Sequence, residues 1–232
     1  LELGIAACHL VLNVYTHQTF PENWAMTQNN LGNAYRTRIQ GEQAENVEKA
    51  ITAYELALQV FTRQAFPEHW AMTQNNLGVA YFDRLQGERA ENVEKAITAY
   101  ELALQVYTRG TFPEDWAMTE GNLGNAFRER LRGERAENLE KAITAYEFAL
   151  QVYTRHAFPE KWAMTQNNLG IALRNRIRGE QSENLENAIA TKELALQVYT
   201  RETFPESWAM TQSSLGVALC QRLRGEQSEN LE

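Results

Sequence analysis

Residues 47–92 have the sequence VEKAITAYELALQVFTRQAFPEHWAMTQNNLGVAYFDRLQGERAEN, and closely similar stretches of 46 residues recur along the chain. All five Trp, all five Pro and all five Met of the 232 residues lie 46 positions apart. A fixed period of about 20 to 50 residues is typical of solenoids and other repeat arrays. We therefore expect a single array over residues 1–232. Its expected repeats are residues 1–46, 47–92, 93–138, 139–184 and 185–230.

Each repeat predicts two helices. In the first, polar residues such as Glu48, Thr52 and Glu55 recur at steps of three and four between apolar residues, which indicates an amphipathic helix. The second is expected to start at Pro67, since proline suits the first helical position, and to end near Gly87. Short links make consecutive helices antiparallel neighbours. An asparagine is expected to cap each first helix, namely Asn46, Asn92, Asn138 and Asn184.

The spacing of small and apolar residues over a second helix and the first helix after it resembles the tetratricopeptide repeat signature. The matching positions are Gln28-x2-Leu31-Gly32-x2-Tyr35, Ala50-x3-Tyr54-x2-Ala57 and Pro67. The chain departs from the signature in carrying Gln28 at the usual Trp position and in its longer period. It looks most similar to the long repeats of kinesin light chain and to arrays in bacterial signalling proteins with caspase-like (CHAT) or NTPase modules. The resemblance implies an all-α, right-handed solenoid of about ten antiparallel helices with a concave groove.

Composition excludes several function classes. The net charge of −8 opposes binding to a nucleic-acid backbone, which needs a basic surface. No apolar run approaches the roughly 20 residues that span a bilayer, so no membrane association is expected. Cys8 and Cys220 stand near opposite ends of the expected array, too far apart for a disulfide. We therefore expect a cytoplasmic protein.

Catalytic and metal-binding patterns are missing from the sequence. The four His occupy four different repeat positions, and no Gly-rich phosphate loop follows a strand. We expect no catalytic residue, no metal site and no cofactor. The Trp, Met and Phe at the start of each second helix are expected in the core. Arg38 and the arginines at the same position of the other repeats, which we call the Arg38 column, are expected to form helix-end ion pairs with glutamates such as Glu42 and Glu45.

Differences between the repeats fall on one face of the second helix. The offsets of the varying positions belong to one helical face, whereas Leu31, Tyr35 and Ile39 are expected on the opposite, buried side. The resemblance places the varying face in the concave groove. The candidate ligand-binding residues are Asn29, Asn33, Arg36, Asn75, Val79, Phe82, Asn125, Arg128, Asn167, Ile171 and Arg174.

These residue types suit a groove that binds a peptide or protein segment. Asparagine amides can pair with any peptide backbone, and arginines can bind carboxylates or phosphates, which hints at an acidic ligand. We therefore expect a non-catalytic interaction scaffold. Two alternatives stay open. In the first, Asn29 and its equivalents pair with neighbouring helices, and the sequence of the varying face has changed by neutral drift. In the second, the array is a regulatory or assembly segment of a larger signalling enzyme.

The two ends of the sequence fall in phase with the repeat. Leu1-Glu2 matches Val47-Glu48, and Leu231-Glu232 matches both. Terminal repeats normally present a polar outer face, but Leu3 stands here where Lys49 stands in the next repeat. We expect a segment of a longer array, whose ends would associate head to tail between molecules.

Overall fold

The computed structural model describes residues 2–229, with side chains described up to residue 222. Over residues 2–229 the chain forms ten α-helices and no strand, which confirms the predicted all-α fold. It divides into two compact units, an N-terminal unit, Leu1–Phe112, and a C-terminal unit, Pro113–Glu232. None of the described helices is long and apolar enough to cross a membrane.

The helices follow the two-per-repeat pattern. The N-terminal unit contains α1 (Glu2–Leu12), α2 (Pro21–Arg36), α3 (Gln43–Ala57), α4 (Pro67–Asp83) and α5 (Arg89–Ala103). The C-terminal unit contains α6 (Pro113–Glu129), α7 (Arg135–Leu150), α8 (Pro159–Arg174), α9 (Gln181–Leu196) and α10 (Pro205–Glu229). Within each unit, helices that follow each other along the chain pack together, most extensively α2 with α3, α4 with α5, α6 with α7, and α8 with α9.

The second helices begin as predicted. Phe66 precedes α4 in a non-helical conformation, with φ −138° and ψ 64°, and Pro67 takes the first helical position, where its missing N–H has no partner to lose. The ring of Phe66 packs edge-on against Phe61, with 5.6 Å between ring centroids. Phe61 is fully buried with Ala25 and Ala57, and Trp24 and Trp70 pack on this cluster. The aromatic residues between the two helices therefore fix the angle at which α4 enters the stack.

The predicted asparagine caps are wrong. The first helices begin at Gln43 and its equivalents, so Asn46 lies inside α3 rather than before it. Its buried amide donates a hydrogen bond of 2.9 Å to the carbonyl of Gln40 in the preceding loop. Asn92, Asn138 and Asn184 make the same bond to the carbonyls of Gln86, Arg132 and Arg178. These side chains hold the loop closed from inside the helix, next to a glycine that adopts the left-handed conformation, such as Gly87 with φ +79°.

The Arg38 column forms ion pairs, but with other glutamates than predicted. Arg84, just beyond α4, contacts Glu48 near the start of α3 through Nε at 2.6 Å and Nη2 at 2.8 Å. Arg38 and Arg176 pair in the same way with Glu2 and Glu140, 36 residues earlier. The pair joins the end of one helix to the start of its neighbour, as an antiparallel arrangement requires. It lowers the pKa of the Glu140 carboxyl, first through the hydrogen bond from Arg176.

Ile39 is also placed differently from the prediction, since it is 91% exposed. Helix α2 ends at Arg36, so the helical periodicity that put Ile39 on the buried side with Leu31 does not reach it. Leu85, Leu131 and Ile177 occupy the same loop position and are exposed as well.

Glycines of the Leu-Gly pair set the distance between the two helices of a pair. A Cβ added to Gly78 would lie 2.6 Å from Cε1 of Tyr100, whose ring is buried against α4. A Cβ added to Gly32 or Gly124 would lie equally close to the ring of Tyr54 or Tyr146. The tyrosine ring therefore packs directly on the helix backbone, which only glycine allows.

Replacing Gly78 with alanine is expected to destabilise the protein by about 1 to 3 kcal/mol, because the buried ring must shift. The matched control is Gly216→Ala in the same repeat column, where the new Cβ would meet nothing within 4 Å. That change should stabilise the protein by up to about 1 kcal/mol through helix propensity. Urea denaturation followed by circular dichroism measures both, and effects of the same sign would contradict the close packing.

Candidate functional site

Two predicted site residues lie in the interior of the N-terminal unit. Asn29 is 1% and Asn75 is 3% exposed. The Asn29 side-chain oxygen is 3.3 Å from the hydroxyl of Thr73 and 3.4 Å from the amide nitrogen of Asn76, both on α4. These bonds connect α2 to α4. Asn29 therefore pairs with a neighbouring helix, which was the alternative to a role in ligand binding. A ligand could reach neither residue without displacing its neighbours.

The other predicted residues of the N-terminal unit are half-buried and line one face of α2 and α4. Asn33 accepts a 2.7 Å hydrogen bond from the Tyr54 hydroxyl. Arg36 lies 4.0 Å from the Asp83 carboxylate, which links the two helices. Phe82 has the guanidinium of Arg89 4.5 Å from its ring centroid. We call Asn33, Arg36, Val79 and Phe82 the groove face of the N-terminal unit.

The predicted residues of the C-terminal unit are all half-buried, on α6 and α8. Asn125 accepts hydrogen bonds from the Tyr146 hydroxyl at 2.8 Å and from the Asn168 amide at 3.3 Å. Arg128 is 3.5 Å from the carboxylate of its neighbour Glu129. The groove face of this unit consists of Asn125, Arg128, Asn167, Ile171 and Arg174.

A pocket of about 200 Å³ opens beside this face. Gly121 stands where other repeats carry Asn29, Asn75 and Asn167, and no atom lies within 4 Å of the Cβ it lacks. Other lining residues are Met118, Asn125, Tyr153, Lys161 and Met164. Met118 and Met164 are 37% and 49% exposed and Met210 on α10 is 71% exposed, so the prediction that the methionines belong to the core fails for these three. The absent side chain and the two thioethers give this pocket a mostly apolar lining.

Lys192 is a buried cation that the sequence analysis did not single out. It occupies the position of Tyr54, Tyr100 and Tyr146 in the other repeats, and its side chain is fully buried. Its ammonium group is 3.4 Å from the Asn167 side-chain oxygen. Burial, together with a smaller contribution from the positive charges of Arg174 and Arg128, lowers the pKa of Lys192 to about 8.

Glu120 is a second buried charge of the C-terminal unit. It takes the place of Gln28, Gln74 and Gln166 and is buried on α6. Burial raises the pKa of its carboxyl to about 7, although a hydrogen bond with the Trp116 side chain opposes the rise. Both residues were visible in the sequence as departures from a repeat column. Lys192 lies on a first helix, outside the second-helix positions that predicted the site, and Glu120 is the one acid at a repeat position that otherwise carries glutamine.

No group of three or more His, Cys, Asp or Glu among the described residues could hold a metal ion. Cys8 is half-buried and Cys220 exposed, and both are free thiols. What both units offer is a face of amide, guanidinium and apolar side chains that are partly open to solvent.

Comparison with known proteins finds a family model that matches two segments of the chain. The model of the tetratricopeptide repeat matches residues 24–69, which contain most of α2 and all of α3, and residues 162–198, which contain most of α8 and all of α9. No match is found among curated proteins. Tetratricopeptide repeats generally mediate protein–protein interaction and are typically non-catalytic. The two matched segments, each of which spans a helix pair, are therefore similar to tetratricopeptide repeats.

Proposed function

We propose that the protein is a non-catalytic scaffold that binds a peptide or protein segment on the groove faces of its two units. One observation carries the proposal. The residues that differ between repeats and remain partly exposed share one face of α2 and α4, and one face of α6 and α8. Leu77 and Ala71, which repeat unchanged, are by contrast buried between helices.

The chemistry of the faces supports a peptide ligand. A peptide backbone presents N–H and C=O groups, and an amide such as that of Asn167 can pair with either. Val79, Phe82 and Ile171 offer apolar contact beside them. Aromatic and arginine side chains are the types that most often dominate binding energy in interfaces. This mixture fits a segment that is recognised by its backbone and by a few side chains.

The long repeat favours one variety of the family. A 46-residue period and the segment Thr27-Gln-Asn-Asn-Leu-Gly-Asn-Ala-Tyr35 are similar to the repeats of kinesin light chain. We extend the proposal to that variety, which binds through its groove. The competing function, a regulatory or assembly segment of a larger signalling enzyme, predicts no affinity for a free peptide.

Peptides selected from a phage-displayed random library against the purified chain test the proposal. Calorimetry should show that Phe82→Ala weakens a peptide bound at the N-terminal face about tenfold or more, because an aromatic contact is lost. The matched control is Phe148→Ala on α7, an exposed phenylalanine outside both faces. It should change affinity less than twofold. Selection of no binding peptide, or equal losses for the two variants, would contradict the proposal.

A further inference from the structure

Gly121 is a glycine that no close contact among the described residues accounts for. Glycine inside a helix is destabilising relative to alanine. At Gly78 and Gly124 the reason for glycine is a tyrosine ring, which lies where a Cβ would be. Gly121 lies in the middle of α6, and no atom lies within 4 Å of the Cβ that it lacks. The chain therefore leaves the space beside Gly121 open, and a group from another molecule can enter it.

The N-terminal unit shows which group fills the equivalent space. Asn29 occupies the repeat position of Gly121, and its side chain is buried. The side-chain oxygen of Asn29 lies 3.3 Å from the hydroxyl of Thr73 and 3.4 Å from the amide nitrogen of Asn76. A carboxamide is therefore the group that this chain itself places between two neighbouring second helices.

The C-terminal unit keeps the partners of that carboxamide. Thr165 and Asn168 occupy the repeat positions of the two residues that hold Asn29, and both line the pocket of about 200 Å³ beside Gly121. Thr165 is 3% exposed. The amide of Asn168 donates a 3.3 Å hydrogen bond to Asn125. An amide carries two donors and an acceptor, and a hydroxyl oxygen also accepts, so both side chains can pair with a further polar group.

The rest of the pocket suits an apolar stem. Met118 and Met164 line it and are exposed, whereas their repeat equivalents Met26 and Met72 are half-buried. The two thioethers therefore border the open part of the pocket, and the buried Thr165 lies deeper. A side chain with methylene groups followed by a terminal amide matches this order, and glutamine is that side chain.

We propose that the pocket beside Gly121 binds the side-chain carboxamide of a glutamine in the partner segment. This inference rests on the proposed function and names a ligand group for the C-terminal unit. The amide would take the place that Asn29 fills in the N-terminal unit. An apolar side chain of the same size would leave the polar groups of Thr165 and Asn168 without that partner, which is costly in a buried site. A glutamate would bring a carboxylate that has no donor and resists desolvation.

The test follows the methionine methyl signals of protein labelled with ¹³C at these methyl groups. The chain has five methionines, one in each repeat, so each signal reports on one place. We expect N-acetylglutamine methylamide to shift the signals of Met118 and Met164 in a saturable way and to leave those of Met26, Met72 and Met210 in place. N-acetylleucine methylamide has about the same size and no side-chain amide, and it should bind at least about tenfold more weakly.

Three variants locate the site. Gly121→Asn supplies the carboxamide from the chain itself and should weaken binding of the glutamine probe at least about tenfold. The matched control is Ser213→Asn, which installs asparagine at the same repeat position on α10, where the side chain is exposed. It should change affinity less than about twofold. Asn29→Gly empties the equivalent space of the N-terminal unit, so the signals of Met26 and Met72 should then respond to the probe as well.

Several results would overturn the inference. They are a glutamine probe that does not bind, a leucine probe that binds as tightly, equal effects of Gly121→Asn and Ser213→Asn, and a folded Asn29→Gly protein whose Met26 and Met72 signals do not respond. Circular dichroism should show that the variants keep their helices. If peptides selected by phage display bind the parent while the glutamine probe does not, the carboxamide site is wrong and the scaffold stands. If no selected peptide binds either, both are wrong.

Discussion

Replacing Lys192 with methionine is expected to raise the free energy of unfolding by about 3 kcal/mol at pH 7. The lysine is fully buried, and its pKa falls from 10.5 to about 8 because burial disfavours the charged form and because Arg174 and Arg128 repel it. Each pKa unit corresponds to about 1.4 kcal/mol between the two protonation states. Methionine keeps the unbranched stem of the side chain and carries no charge, so most of this penalty should disappear.

The stability difference between the parent protein and Lys192→Met should also depend on pH. Below pH 8 the lysine is charged in both the folded and the unfolded state, and the full penalty is present. Between about pH 8 and 10.5 the folded state has lost the proton while the unfolded state keeps it. The unfolded state then binds more protons, so the stability of the parent protein rises with pH. The advantage of Lys192→Met should therefore shrink across this interval.

Urea denaturation at several pH values between 7 and 10.5 measures the effect. Lys141→Met on α7 is the control, because Lys141 is an exposed lysine that pairs with Glu137 four residues earlier and lies 5.6 Å from the ring centroid of Phe127. That change should alter stability by less than about 1 kcal/mol at every pH. A Lys192→Met variant that is less stable than the parent at pH 7 would show that the ammonium group has a stabilising partner.

The regular part of the fold was predictable because it follows from the repeat period and from residues that are close together in the sequence. The 46-residue period fixes the number of helices, and Pro67 and its equivalents fix where the second helices begin. Helix ends were less predictable. Asn46 has the chemistry of a cap, but its amide satisfies loop carbonyls from within the helix. The choice between these roles depends on the path of the loop, which the sequence of the helix does not encode.

Contacts between repeats could not be predicted, because they join residues that are far apart in the sequence. The partner of Arg84, Glu48, is 36 residues earlier, whereas spacing could suggest only the nearby Glu88 and Glu91, which occupy the repeat positions of Glu42 and Glu45. The varying helical face was predicted, and most of its residues are partly exposed. Burial of Asn29 and Asn75 could not be predicted, because it depends on how closely α2 and α4 approach each other. Comparison of all repeat columns, rather than those of one helix, would have found Lys192.

Replacing Glu120 with glutamine is the second large effect that we expect, with the opposite dependence on pH. Burial raises the pKa of the Glu120 carboxyl from 4.5 to about 7. Between these two values the folded state holds the proton and the unfolded state has lost it. The stability of the parent protein therefore falls as pH rises through this interval, and above pH 7 the penalty for a buried carboxylate reaches about 3 kcal/mol.

Glutamine at position 120 restores the residue that Gln28, Gln74 and Gln166 supply at the same buried position, so its amide should fit without new strain. We expect Glu120→Gln to be about as stable as the parent near pH 4.5 and about 3 kcal/mol more stable at pH 8, measured by urea denaturation. Glu101→Gln, an exposed glutamate on α5, is the control and should show no such trend. Since the Glu120 penalty is complete above pH 7 and the Lys192 penalty is relieved only above pH 8, the parent should be least stable between these values. A parent curve without that minimum, or a Glu120→Gln variant whose advantage does not grow with pH, would show that the carboxyl is ionised and paired in the folded state.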